Sequence, residues 1–229
     1  MSPVTSPNAA SADTRLARLT RKPDRGVGTR EQLNALLDSQ LVGVLATVLD
    51  GQPWVVPMLY GREGDRILLH GSTGAGALGQ VAAGAPAAFC VTVIDGLVVA
   101  ESTFDSSANY RSAVIRGTLE ALTGEAKSTG LQRISERIIP GRNAEVRPST
   151  RKEEAATLAL GLTIAADNWI MKHRDGDPGE PEGDVDVWCG VVPLAITAGA
   201  PVPAPWSVGP VPPSVRAFVD AHPAPSATP

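Results

Sequence analysis

The chain has only two cysteines and three histidines, no basic run longer than two residues, and no apolar run near the roughly 20 residues of a membrane span. Each shortage excludes something. Cys90 and Cys189 sit singly in apolar segments, without a neighbour at metal-ligand spacing, so they read as reduced core residues rather than a disulfide or zinc pair. His70, His173 and His222 are too scattered to form a metal site, and no metal is expected. With a net charge of −4 and no cluster of Lys and Arg, the chain lacks what nucleic-acid phosphates demand. The basic N-terminal residues Arg15, Arg18, Arg21 and Lys22 have no apolar h-region behind them, so the expectation is a cytoplasmic protein with no membrane partner.

What is present suffices for one core. A chain of 229 residues with 43% hydrophobic and 19% charged residues falls among ordinary globular proteins, and one domain with tails is the simplest organisation. Residues 1–28 form an arm that begins rich in Ser, Pro and Ala. Residues 29–197 form the domain, and residues 198–229 form a tail holding nine of the twenty prolines, read as extended. Thr29 and Gln32 make a capping box ahead of Leu33, Leu36 and Leu37 on one helical face.

Strand signals then dominate. Leu41 to Leu49 and Gln52 to Tyr60 flank Asp50-Gly51, and Ala87 to Ile94 and Leu97 to Thr103 flank Asp95-Gly96, so two tight hairpins are expected. Arg111 to Leu122 and Thr157 to Ile164 alternate as strands. Trp169 to Lys172 reads as extended or a short helix, and Val185 to Leu194 returns to strand after an acidic loop. Thr123 to Ile139 has helical periodicity and stops at Pro140-Gly141. The fold class is mainly β with flanking α, an antiparallel barrel or sandwich.

One stretch stands out for chemistry. Arg66 to Gly84 reads as a strand ending at His70, a turn Gly71-Ser72-Thr73-Gly74-Ala75-Gly76, and a small-residue helix. Glycines that admit a close ligand, two hydroxyls and backbone N–H groups suit a phosphate. Gly74 to Gly79 is literally G-x-G-x-x-G, but hairpin-linked strands do not make the βαβ unit that pattern requires. The spacing of Gly71 and Gly76 imitates a P-loop, yet Ala77 and Leu78 replace its Lys and Ser/Thr, so nucleotide hydrolysis is discarded. Ser72 lacks a nucleophile elbow, and any chemistry would belong to a cofactor.

Taken in order, LLHGSTGAG, Asn109 to Gly117 (NYRSAVIRG), the segment around Pro140 to Pro148 and Val187 to Leu194 (VWCGVVPL) resemble the pyridoxamine 5′-phosphate oxidase-like, flavin-nucleotide-binding split-barrel family, in particular its nitroimidazole-resistance branch. The resemblance implies an FMN-binding, antiparallel, Greek-key-like split β-barrel and a homodimer with the cofactor at the subunit interface.

It also implies roles. His70, Gly71, Ser72, Thr73, Gly74 and Gly76 would cradle the phosphate, and Met58 and Leu69 would join the cofactor-binding set. Tyr110 would cover the ring system, Ser112 would bond to it, and the candidates to supply counter-charge are Arg111, Lys172 and Arg174. That charge matters because Gly76-Ala77 stands where many members carry Arg-Lys. Trp188 is either a stacking partner or core. For His70, the candidate catalytic residue, several roles stay open: moving protons at a flavin, touching the phosphate, ligating a haem iron, or ending a strand. The implied activity is reduction of a small electrophile, a nitroaromatic or quinone, through bound FMN. The alternatives are a non-catalytic flavin- or haem-binding protein and a deazaflavin-dependent reductase.

Overall fold

The computed structural model describes residues 28–74, 76–181, 183 and 186–223. The arm expected over residues 1–28 lies almost wholly outside them. Helix α1 (Arg30–Ser39) starts at Thr29, whose hydroxyl accepts from the Gln32 N–H while the Gln32 side chain accepts from the Thr29 N–H, and it buries Leu33, Leu36 and Leu37 completely. Each leucine removed from water in this way is worth about 2 kcal/mol.

Strands β1 (Val42–Leu49) and β2 (Gln52–Glu63) pair across Asp50-Gly51, where both residues have positive φ as a two-residue hairpin turn of this kind requires. Strand β3 (Arg66–Ser72) follows, then α2 (Gly76–Ala82), β4 (Pro86–Val99), β5 (Ser107–Ala121), α3 (Gly124–Ile138), α4 (Arg151–Ala156), β6 (Thr157–Thr163), β7 (Trp169–Arg174), β8 (Gly190–Pro193) and α5 (Pro213–Asp220). The sheet order is β7-β5-β6-β3-β2-β1-β4-β8, and β4 also pairs with β5. That extra pairing closes β1 to β6 into a barrel. Strand β5 divides its free side, meeting β7 through residues 110–115 and β6 through residues 119–121.

The barrel interior is aliphatic, with one aromatic pair: Tyr60 meets Phe89 edge-on at 5.0 Å, and the Tyr60 hydroxyl donates to the Leu37 carbonyl at 2.6 Å. Gly43 makes room for it, since a Cβ there would stand 2.1 Å from the Phe89 ring.

Three expectations are corrected. Asp95-Gly96 is no hairpin turn: β4 runs through it with a bulge at Ile94/Gly96, and the chain reverses at residues 100–106 instead. The reason lies 16 residues away, where Arg111 binds the Asp95 carboxylate across the β4–β5 ladder, while the Asp95 carbonyl accepts from Leu194 N–H. The strand read over Val185 to Leu194 shortens to Gly190–Pro193. The proline-rich tail is not all extended, because Pro213 opens α5 at its first position and Ser214 anchors it by donating its N–H and hydroxyl to Glu145. Trp169 to Lys172 resolves as strand.

Candidate functional site

Strand alternation sorts the expected site residues into two groups. Leu69 and Tyr60 point into the barrel, so His70 and Leu59 next to them point out. The same alternation turns Tyr110, Ser112 and Val114 outward, because Asn109, Ala113 and Ile115 are buried between them. Lys172 pairs with Ser112 and is exposed, and no ion pair holds its ammonium among the described residues. Tyr110, Ser112 and Lys172 therefore share an outer face over β5 and β7, whereas His70 faces the side where Leu68 and Ala159 are buried against α3. The barrel's outer surface is unusually apolar: Val42, Val48, Val55, Leu59 and Ile94 are each 41–61% exposed.

His70 is half-buried at the end of β3, and its Nδ1 is buried without a hydrogen-bond partner. Burial lowers its pKa below the ordinary histidine value, which favours the neutral ring. In the turn, Ser72 Oγ accepts from the Gly74 N–H at 3.2 Å, leaving the hydroxyl proton free to donate. Thr73 spends both its N–H and its hydroxyl on the Ala156 carbonyl, which pins the turn to the start of β6. Nothing lies within 4 Å of where a Cβ would stand at Gly76, so a ligand has open approach there, whereas at Gly71 it would meet Leu78.

Other expected residues are placed differently. Leu69 is fully buried and the Met58 side chain packs against the core, so the Leu69 side chain faces no ligand and the Met58 side chain is turned away from the outer face. Trp188 is 66% exposed rather than core. Arg111 is committed to Asp95 through Nε at 2.9 Å and an Nη at 2.6 Å, and this hydrogen-bonded carboxylate raises its pKa. It lines a different space, a half-open groove of about 550 Å³ between the end of α1, the β4 bulge and the chain after β8.

Sequence reasoning missed Arg116. It lines a hollow of about 530 Å³ with Thr47, Ala88 and Asn168, and no acidic partner holds it among the described residues. Its place two residues beyond Val114 on an alternating strand was the available signal.

This geometry, a closed antiparallel barrel with an apolar outer face and a glycine-rich turn after the third strand, meets an independent match. The family model described as pyridoxamine 5′-phosphate oxidase matches residues 29–169. The chain belongs to this family. Its fold is the flavin- and haem-binding split barrel of that family. Among solved structures it is similar to the FAD and haem binding protein of Mycobacterium smegmatis, at 47% identity over 85% of this chain and 97% of that one, with a TM-score of 0.82. It is also similar to the flavocytochrome Anf3 of Azotobacter vinelandii (29% identity, 87% and 94% covered, TM-score 0.80). A Bacteroides thetaiotaomicron protein described as of the 5-nitroimidazole-antibiotic-resistance type shares the fold at 18% identity, covering 64% of this chain and 85% of that one, with a TM-score of 0.52. No curated protein matches. No helix among the described residues is long and apolar enough to cross a membrane.

Proposed function

We propose that this protein is a flavin- and haem-binding oxidoreductase that takes its flavin on the outer sheet face and transfers electrons to a small acceptor of the nitroaromatic or quinone type. The observation that carries this reading is the shared outer face of Tyr110, Ser112 and Lys172 beside the exposed Ile94, with the Lys172 ammonium uncommitted among the described residues. These residues fit a flavin. Ser72 has a hydroxyl proton to donate and Gly76 leaves space for a phosphate oxygen, while Lys172 lies at the far end of β5 from this turn, where its charge would reach the phosphate only from a second copy of the chain. Tyr110 and the valines offer an apolar bed for the ring system. The neutral His70 ring, next to the glycine-rich turn, can accept or return a proton. A bound flavin supplies hydride and single-electron chemistry, and the protein supplies position and electrostatics.

FAD is favoured over FMN, because the 47% identical relative is named for FAD. Haem enters the reading from that relative and from the flavocytochrome. A second copy of the chain would cover the exposed valines and enclose the flavin, giving a homodimer. The test is the absorbance spectrum of the purified protein, before and after incubation with FAD, FMN and haemin. A yellow protein with an added Soret band is expected, and a colourless one that takes up none of the three would overturn the reading.

A further inference from the structure

The chain beyond the family match folds back and completes a groove against the end of α1, β4 and β5. After β8 the backbone turns back at Leu194, held by the Asp95 carbonyl, and Ala198 N–H donates to the His222 carbonyl at 2.9 Å. Between these anchors α5 docks through Ser214 on Glu145. The half-open groove of about 550 Å³ is walled by Leu41 and Val93, with the exposed Val42, Ile94, Leu194 and Ile196 at its lip and Phe218 and His222 along one side. An apolar groove of this size with a few polar groups is suited to a flat, largely apolar ligand.

The polar groups narrow the choice. The His222 and Phe218 rings stack at 4.4 Å, and His222 Nδ1 lies 2.8 Å from the Phe218 carbonyl. A nitrogen facing a carbonyl must carry the proton, so the lone pair of the neutral ring sits on Nε2, which has no protein partner among the described residues. A backbone carbonyl holding one imidazole N–H while the other nitrogen stays free is how metal-ligating histidines are oriented. His70 has the opposite arrangement, a buried Nδ1 with nothing to fix the ring. Across the groove, Arg111 uses Nε and Nη2 on Asp95 and keeps Nη1 for a second anion.

We propose that this groove takes an iron porphyrin, with His222 Nε2 as an axial ligand and Arg111 Nη1 near a propionate. The inference rests on the haem half of the reading above. Only a coordinate bond forms, from the Nε2 lone pair to iron, with no change of oxidation state.

The test is haemin titration of the full chain followed by absorbance and electron paramagnetic resonance. His222→Ala should lower haemin affinity at least about tenfold and change the ferric spectrum. Added imidazole should restore the spectrum of the unaltered protein, and His222→Met should give a spectrum distinct from both. His70→Ala should leave the ferric spectrum as in the unaltered protein. An unchanged spectrum in His222→Ala and His222→Met overturns the assignment while leaving haem binding intact. Failure of the unaltered protein to take up haemin overturns the haem reading and this assignment together, without touching the flavin.

Discussion

Arg111 and Asp95 lie on neighbouring strands and are joined by two hydrogen bonds, Nε to Oδ2 at 2.9 Å and an Nη to Oδ1 at 2.6 Å, at the point where β4 bulges. The two side chains are about one-third exposed, so solvent screens much of the attraction. Replacing Asp95 by Ala should cost about 1 kcal/mol in urea denaturation. A double-mutant cycle with Arg111→Ala should return a coupling of about 0.5–1 kcal/mol. Zero coupling would mean the bulge is held by its backbone alone.

Gly43 lies against the tip of the Phe89 ring. Gly43→Ala should destabilise the barrel by about 1–3 kcal/mol through overpacking, and Phe89→Leu in the same chain should recover part of the loss. Thermal unfolding of the three variants measures this. A neutral Gly43→Ala would show that the ring has somewhere else to go.

His70 sets a pH dependence. Its folded pKa lies below the ordinary 6.5, so the unfolded chain binds the proton more readily. The stability deficit is absent well above pH 6.5 and grows as the pH falls through that value towards the lower folded pKa. His70→Gln should remove this part of the slope, read by chemical denaturation at pH 7.5 and pH 5.5, buffer values on the two sides of the ordinary histidine range of about 6.5. Equal slopes in the two proteins would refute it.

Helix α5 hangs on Glu145, which accepts the Ser214 N–H at 2.9 Å and the Ser214 hydroxyl at 2.5 Å. Glu145→Ala should loosen this helix start and expose the chain after β8 to proteolysis while the barrel stays folded. Limited digestion followed by mass spectrometry reads the outcome. Cleavage at an unchanged rate would place the anchor elsewhere.

Features decided within a few residues were legible in the chain. The Thr29–Gln32 box acts over three positions, and Asp50-Gly51 needs only its own backbone freedom. Asp95-Gly96 spells the same turn but takes another shape, because its carboxylate answers to Arg111 on the next strand. The same limit explains the site. Alternation could assign Tyr110 and Ser112 to one face, but nothing local reveals that Leu69 is sealed in the core or that Arg111 has already been claimed. Helix α5 was readable in part, since Pro213 at a first helical position is a start signal, yet the many prolines around it pointed to extended chain. The orphaned Nδ1 of His70 and the carbonyl behind His222 depend on tertiary neighbours that no motif encodes.

Closing the barrel through β4 and β5 leaves β7 and β8, among the described residues, as the two end strands of the sheet with an unpaired side. An open strand side is a template on which another chain can add, and long apolar ones seed aggregates. Neither here is inviting. Strand β8 is four residues long and ends in Pro193, which has no N–H to offer, and β7 carries Lys172, His173 and Arg174 in succession. Among the described residues the topology thus confines the open strand sides to one stub and one cationic rim, neither of which invites strand addition.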